Sequence, residues 1–450
     1  MRDPAGRIAF EGSHVVRYLN EPAGQDHFLR SPLARRWVER GVLIPYKWVD
    51  NSTIQSPKLP FVTLPPEWTA AQFFAAAKLT LDLQSEAVIE GWDLKDASSW
   101  NVVFVGLQPI FVDLLSFVPL REKLWRAAGQ FTRHFILPLL LDQKGYIEPR
   151  QCLQLWRDGV PPNVARRWLG VRRFLTLYWP LMIKDRLKDQ SSKIKIARKS
   201  AVADKAVQSF RASLQSGLGC MLKGVGPQKR KGAPTIWGDY EQERDHYPKP
   251  AVVLKREIIG AWLQKLKPEW VLDVGCNAGE FSELAVGIGA RAICWDADPQ
   301  ALLKLYNRHC NKKTGSHYFP VLSSIDDASG GRGWMGSEFP SLMDRLHRQV
   351  DVVMFLAVIH HLAIAGGVRL EDIFRFAASV SRRAVLLELV SETDPRVLQL
   401  CNHYNRRPEE FSIERQCEAA AAVGFRRIEH KKINSEYTRE YIWLEHDVKT

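Results

Sequence analysis

Val271-Leu-Asp-Val-Gly-Cys-Asn-Ala-Gly-Glu-Phe-Ser282 decides the fold of the second half of this chain. Val271 to Val274 is a short apolar, β-branched run of the kind that forms a buried parallel strand. Gly275-Cys-Asn-Ala-Gly279 breaks the run, and Glu280-Phe-Ser-Glu-Leu-Ala-Val opens an amphipathic helix. A strand, a glycine turn and a helix N-terminus in that order form a ligand cradle. Glycine lets the backbone approach a guest closely, and free N–H groups at the helix start attract an anionic group. The spacing Gly-x-x-x-Gly is neither the dinucleotide Gly-x-Gly-x-x-Gly nor the phosphate loop with its Lys-Ser/Thr, so phosphate is not the obvious guest. Asp273 in the strand and Asp296 at the end of the next one suit a guest with a positive charge and sugar hydroxyls. Asp296 follows at close to the roughly 20-residue offset of a ribose-binding acid.

With Asp296-Ala-Asp298-Pro299, these residues resemble motifs I and II of the class I S-adenosylmethionine (SAM)-dependent methyltransferases. The resemblance implies a SAM cofactor held by Asp273, Gly275, Asn277, Gly279 and Asp296. It also implies that the aromatic lead-in Trp237, Tyr240 and Tyr247 folds over the cofactor; simple packing of a linker is the competing explanation.

Regular α/β alternation follows from Trp270. Strands are expected near 270–275, 291–296, 318–322, 351–356 and 383–389, with helices near 251–266, 280–289, 299–311 and 367–380. A helix at 411–423 and strands near 425–430 and 438–444 close the chain. This order predicts an α/β fold, a doubly wound Rossmann-like sheet with a late antiparallel strand.

Ligands of open α/β sheets sit beyond the carboxyl ends of the strands. His360 and His361 leave the fourth strand there, and Glu388 ends the fifth. These three are the candidates for proton transfer, although the histidines are often structural in such proteins and Glu388 could equally cap a loop. Methyl transfer itself asks chiefly for alignment of nucleophile, methyl and sulfur. No metal site is expected, because adjacent histidines lack the i, i+4 spacing of a zinc pair. The resemblance also extends to a bacterial group that joins a SAM methyltransferase domain to an N-terminal region, some of whose members act in rhizobial nodulation. It rests on the lead-in aromatics, Gly333-Trp334, His360-His361-Leu-Ala-Ile364, Glu388 and Thr438-Arg-Glu-Tyr-Ile-Trp. Ser324 stands where that group leads one to expect an aspartate, with Asp326 and Asp327 just after.

At 450 residues two domains are expected, and 46% hydrophobic with 25% charged residues is the composition of a soluble globular protein. Seven scattered cysteines without a Cys-x-x-Cys pair argue against a disulfide framework or zinc site and for a reducing, cytoplasmic setting. No signal peptide or membrane span is read; the apolar piece Phe174 to Ile183 is too short. The net charge of +13 is concentrated between Lys184 and Lys231. That stretch suits a solvated helix face and linker, or contact with nucleic acid or an anionic surface. Nucleic acid is not favoured, since no aromatic interrupts Lys184 to Ser209 and the fourth strand is not followed by Asn/Asp-Pro-Pro-Tyr/Phe.

The first half reads as an α+β, helix-rich domain, residues 1–217: a hairpin at 7–19, a helix near 26–40, a polar loop at 51–59, and helices at 69–91, 125–141 and 148–187. Asp96, Asn101 and Asp113 resemble the catalytic loop and metal-binding aspartate of kinase-like folds, without a glycine-rich phosphate loop or strand lysine before them. A non-catalytic lobe is expected. A basic Gly/Pro linker is placed at 218–246 and the methyltransferase domain at 247–450. The leading reading is SAM-dependent methyl transfer to an unidentified acceptor. The alternatives are a SAM-binding regulatory protein without turnover, and an RNA methyltransferase.

Overall fold

The structure is a computed structural model that describes residues 6–20, 28–121, 125–170, 201–226, 249–432 and 438–447. The chain divides into two compact units, Met1–Gly232 and Ala233–Thr450.

The first unit is α+β. Strands β1 (Gly6–Glu11), β2 (His14–Leu19), β3 (Lys47–Trp48) and β4 (Thr53–Pro57) form an antiparallel sheet in the order β1-β2-β4-β3. Residues 51–59, expected as a polar loop, thus contain a strand: Ile54 and Ser56 point inward and are buried. Within the helix expected near 26–40, Phe28 and Leu29 are helical, and a separate helix, Pro32–Glu39, begins after them: Ser31 caps it by accepting from the Ala34 N–H, and Pro32 suits the first turn. Helix Ala70–Ile89 matches its expectation. A reciprocal cap opens it, the Gln72 N–H donating to Thr69 Oγ1 and the Thr69 N–H to Gln72 Oε1. Two short antiparallel pairs follow, β5 (Trp92–Leu94) with β8 (Phe117–Pro119) and β6 (Val102–Val105) with β7 (Gln108–Phe111).

Residues 128–143 form the next helical run. It widens into a π turn at Thr132–Ile136, just before Pro138, whose ring has no N–H and would crowd the carbonyl four residues earlier. The expected helix at 148–187 is instead Pro149–Leu155 and Pro162–Leu169, separated at Gly159 and Pro161; residues 171–200 lie outside the described residues. Helix Ala201–Gly224 runs through positions read as linker. Leu218 and Leu222 are buried, and the helix packs on Ala70–Ile89. Arg211 fastens it, its Nη1 2.6 Å from Asp93 Oδ1 with both groups buried.

The second unit is built on one seven-stranded sheet in the order β11-β10-β9-β12-β13-β15-β14: β9 (Trp270–Val274), β10 (Arg291–Asp296), β11 (Tyr318–Leu322), β12 (Val350–Leu356), β13 (Ser381–Val390), β14 (Phe425–Lys432) and β15 (Arg439–His446). β9 to β13 are parallel, and β15 runs antiparallel to both β13 and β14, as the alternation predicted. Every residue of β9 is buried, because helices cover both faces. Helices Lys249–Leu266 and Glu280–Gly287 bring Trp262, Leu263 and Phe281 onto Val271, Met354, Leu386 and Trp443. On the other face Phe376 of helix Leu370–Val380 meets Trp295 and Phe355 edge-on. Strand order reverses beside β9, so the crevice between β9 and β12 opens at the carboxyl ends of both.

Candidate functional site

The cradle turn is built from its own backbone. Gly275 and Gly279 adopt φ of +69° and +86°. A Cβ on Gly275 would stand 2.5 Å from Val358 Cγ2, and one on Gly279 2.5 Å from Leu305 Cδ1. Glycine is therefore required twice, for conformation and for space. The five N–H groups of residues 275–279 all find acceptors within the protein. Those of Gly275 and Cys276 reach Trp295 O (2.8 and 3.2 Å), and that of Gly279 reaches Cys276 O (2.9 Å). The Asn277 N–H donates to Asp296 Oδ2 and the Ala278 N–H to Asn277 Oδ1, each at 2.7 Å. A turn with its donors spent in this way is not a phosphate nest, which agrees with its spacing. We expect Gly279→Ala to lower stability by about 1–3 kcal/mol, from the left-handed φ and the crowded Leu305. A denaturation midpoint unchanged from the parent would contradict this.

Two carboxylates hold the turn from either side. Asp273 is buried in β9 and accepts from Ser282 Oγ at 2.6 Å, tying the strand to the first turn of the helix it precedes. Burial raises its pKa to about 6, against the opposing pull of Ser282 and the nearby Lys255 charge. Asp296 accepts through Oδ2 from Asn277 and through Oδ1 from the Asp298 N–H at 2.8 Å. Each oxygen keeps a second lone pair, so the group can still accept from a guest. Asp298 caps helix Pro299–His309. Ser324 Oγ donates to Asp326, and Trp334 of the Gly333-Trp334 pair is largely exposed.

At the neighbouring rim the chain leaves β12 through Ala357, held at φ +66°, a left-handed conformation costly for a residue with a Cβ. Val358 then lies against Gly275, so the histidine loop and the cradle turn meet in the crevice. The rings of His360 and His361 lie 4.2 Å apart between centroids. Burial, then the His361 and Arg439 charges, hold His360 well below its ordinary pKa; burial, then Arg439 and Arg396, push His361 to about 4. Burial thus favours the neutral form of both rings.

Glu388 is fully buried and is not a free acid. Arg439 Nη1 donates to its Oε1 at 2.9 Å, and Lys255 Nζ lies 2.5 Å from its Oε2, a charge contact rather than an aligned hydrogen bond. Arg439 also faces Asp394 at 3.7 Å, and Asp394 accepts from Thr438 Oγ1 at 2.6 Å. Sequence reasoning missed this network. The Asp394-Pro395 pair is a helix-start signal that marks helix Pro395–His403, but nothing in sequence spacing couples Lys255 to Glu388. Tyr247, with Trp237 and Tyr240, lies outside the described residues.

The neutral histidines carry a pH prediction. His361 titrates near 4 when folded and 6.5 ordinarily, so its contribution to stability is present above pH 6.5 and is lost as pH falls through 4. Asp273, raised from 3.8 to about 6, acts oppositely: its contribution is present below 3.8 and is lost as pH rises through 6. His361→Asn should therefore reduce the stability lost between pH 6.5 and 4 by up to about 3 kcal/mol. Parallel stability–pH curves for variant and parent would contradict it.

In the first unit Asp96, Asn101 and Asp113 also come together. Asn101 Nδ2 donates to Asp96 O at 3.2 Å, and Ser116 Oγ donates to Asp113. Asp96 and Asp113 further accept the Ser98 and Leu115 N–H groups, at 3.0 and 3.1 Å, as turn-forming acids do. Burial and the Asp113 charge raise the Asp96 pKa. Among the described residues no three His, Cys, Asp or Glu are grouped to hold a metal ion, and no helix is long and apolar enough to cross a membrane.

No family model matches the chain. It is homologous to nodulation protein NoeA of Rhizobium meliloti (strain 1021), with 27% identity over 420 residues, 89% of this chain and 86% of that protein. The resemblance to that bacterial group is thereby borne out. Among solved structures it is similar to magnesium protoporphyrin IX methyltransferase (ChlM) from Synechocystis PCC 6803 with bound SAH, at 14% identity over 43% of this chain and 83% of that one, TM-score 0.31. It is also similar to Burkholderia thailandensis 1,6-didemethyltoxoflavin-N1-methyltransferase, at 15% identity over 46% and 84%, TM-score 0.33. The second unit is a doubly wound, Rossmann-like α/β fold, an assignment that rests on its sheet order and cradle turn.

Proposed function

We propose that the second unit binds SAM across the carboxyl ends of β9 and β10 and transfers its methyl group to an acceptor at the His360–His361 rim. The observation that supports this best is the cradle itself. Its two glycines admit no side chain, its N–H groups are spent, and Asp273 and Asp296 flank it, which favours a cationic, hydroxyl-bearing guest over a phosphate. Asp296 would accept from the ribose hydroxyls. Asp273, through Ser282, would keep the turn and helix in register. Gly275, Asn277 and Gly279 would shape the floor. When bound, SAM supplies an activated methyl group on a sulfonium sulfur. The protein's own part is to align the acceptor with it, the term that dominates such a transfer. We assign His360 and His361 to the wall of the acceptor site, and Glu388 to positioning it through Lys255 and Arg439. NoeA places the homologous protein in nodulation by its name, and a role of that kind is part of this proposal. Radiolabelled SAM incubated with the protein and fractionated cell extract tests it: label should enter an extract component, and its failure to do so would overturn the transfer.

A second reading, a SAM-binding protein without turnover, is favoured by one observation. Glu388 is engaged by two cations and the histidines are weak bases, so no described rim group is poised to take a proton.

A further inference from the structure

The absence of a poised base among the described rim residues is informative about the acceptor if methyl transfer does occur there. We propose that the acceptor presents a carboxylate as its nucleophile, received beside Arg396 at the His360–His361 loop. The inference rests on the methyl-transfer reading above.

Three observations carry it. Glu388, placed by sequence where a base would stand, is buried and lies between Arg439 Nη1 at 2.9 Å and Lys255 Nζ at 2.5 Å. Asp394, the next carboxylate along the rim, caps its own helix by accepting the Arg396 N–H at 2.9 Å and also accepts from Thr438. His360 is 6% exposed and His361 lies against it, Arg439 acts on both rings, and Arg396 acts on His361 from helix Pro395–His403, which packs on this loop. An acceptor arriving as an ammonium ion would meet the exposed Arg396 guanidinium and find no described rim group ready to remove its proton. A hydroxyl would likewise keep its proton. A carboxylate arrives already deprotonated and is attracted by Arg396. Arg396, exposed at the start of helix Pro395–His403, is placed to receive it, since a helix start adds its own positive end.

The step balances without a proton. A carboxylate oxygen attacks the methyl carbon, and the C–O bond forms as the C–S bond breaks. The electron pair goes to sulfur, turning the sulfonium into a neutral thioether. The product is an uncharged methyl ester, which loses its attraction to Arg396 and so favours release.

The test uses the full chain, methyl-tritiated SAM and fractionated extract of the source cells. Labelled product is treated with alkali, which releases tritiated methanol from a methyl ester and leaves N-, C- or ether-linked methyl in place. We expect most of the label to be volatile after alkali. Arg396→Gln should raise the half-saturating amount of the accepting fraction about tenfold while leaving SAM affinity unchanged by calorimetry, and Arg396→Lys should recover part of it. Alkali-stable label would overturn the carboxylate assignment and leave methyl transfer standing. Alkali-labile label with half-saturation unmoved in Arg396→Gln would overturn the placement at Arg396. No label in any fraction would overturn the transfer reading and this inference with it.

Discussion

Asp296→Ala is expected to weaken SAM binding by about 1–3 kcal/mol, a loss of roughly five- to 150-fold in affinity. The carboxylate sits at the end of β10 and fixes the cradle through the Asn277 and Asp298 N–H groups, and in the proposed complex it would also accept from the ribose. Removing it takes away an acceptor for the ribose and also frees the turn. Asp296→Asn separates the two effects: its amide oxygen keeps one acceptor for the turn but loses the charge. Calorimetric titration of both variants is the measurement. Parent-like affinity in a folded Asp296→Ala protein would contradict the ribose contact.

Lys255→Met should cost the second unit about 3–5 kcal/mol of stability. The Lys255 side chain is 11% exposed and its partner Glu388 is 0% exposed, so little solvent screens the pair. Taking away one partner removes a cation from buried Glu388, leaving the Arg439 ion pair, and withdraws the charge that favours the charged form of Asp273. The ammonium at the end of the aliphatic stem also stands 4.4 Å from the centroid of the Phe281 ring, a cation–π contact that is lost with the charge. Methionine keeps most of that stem and isolates the charge. In the double variant Lys255→Met, Glu388→Gln, part of the loss should return, because the buried acid is then neutral. Chemical denaturation measures both. A single variant within about 1 kcal/mol of the parent would show that the buried network contributes little.

The second half was legible because its chemistry and its periodicity coincide. β9 is five apolar-context residues ended by a glycine whose Cβ position is filled by Val358, and such a glycine announces itself in sequence. β10, β11 and the closing strands follow the same rule, each bounded by turn or cap residues such as Asp298-Pro299. What stayed hidden lies across the sheet. Glu388 looks like a rim acid in sequence, yet Arg439 reaches it from β15 and Lys255 from helix Lys249–Leu266, contacts of long sequence separation that no spacing encodes. The first half was harder for a different reason. β4 is short and polar, with Ser56 turned inward beside Ile54 and Thr53 buried on the other face, so its pattern reads as a loop. Glycines 217, 219 and 224 made the end of helix Ala201–Gly224 look like linker, although Leu218 and Leu222 anchor it by burial.

The cradle between Asp273 and Asp296 is expected to take SAM and not a nucleoside triphosphate. Isothermal titration of the full chain with SAM, S-adenosylhomocysteine and ATP in turn tests it most directly. SAM and S-adenosylhomocysteine should bind saturably, Asp296→Ala should weaken that binding, and excess ATP should not displace it. Absence of SAM binding, or displacement of SAM by ATP, would contradict it.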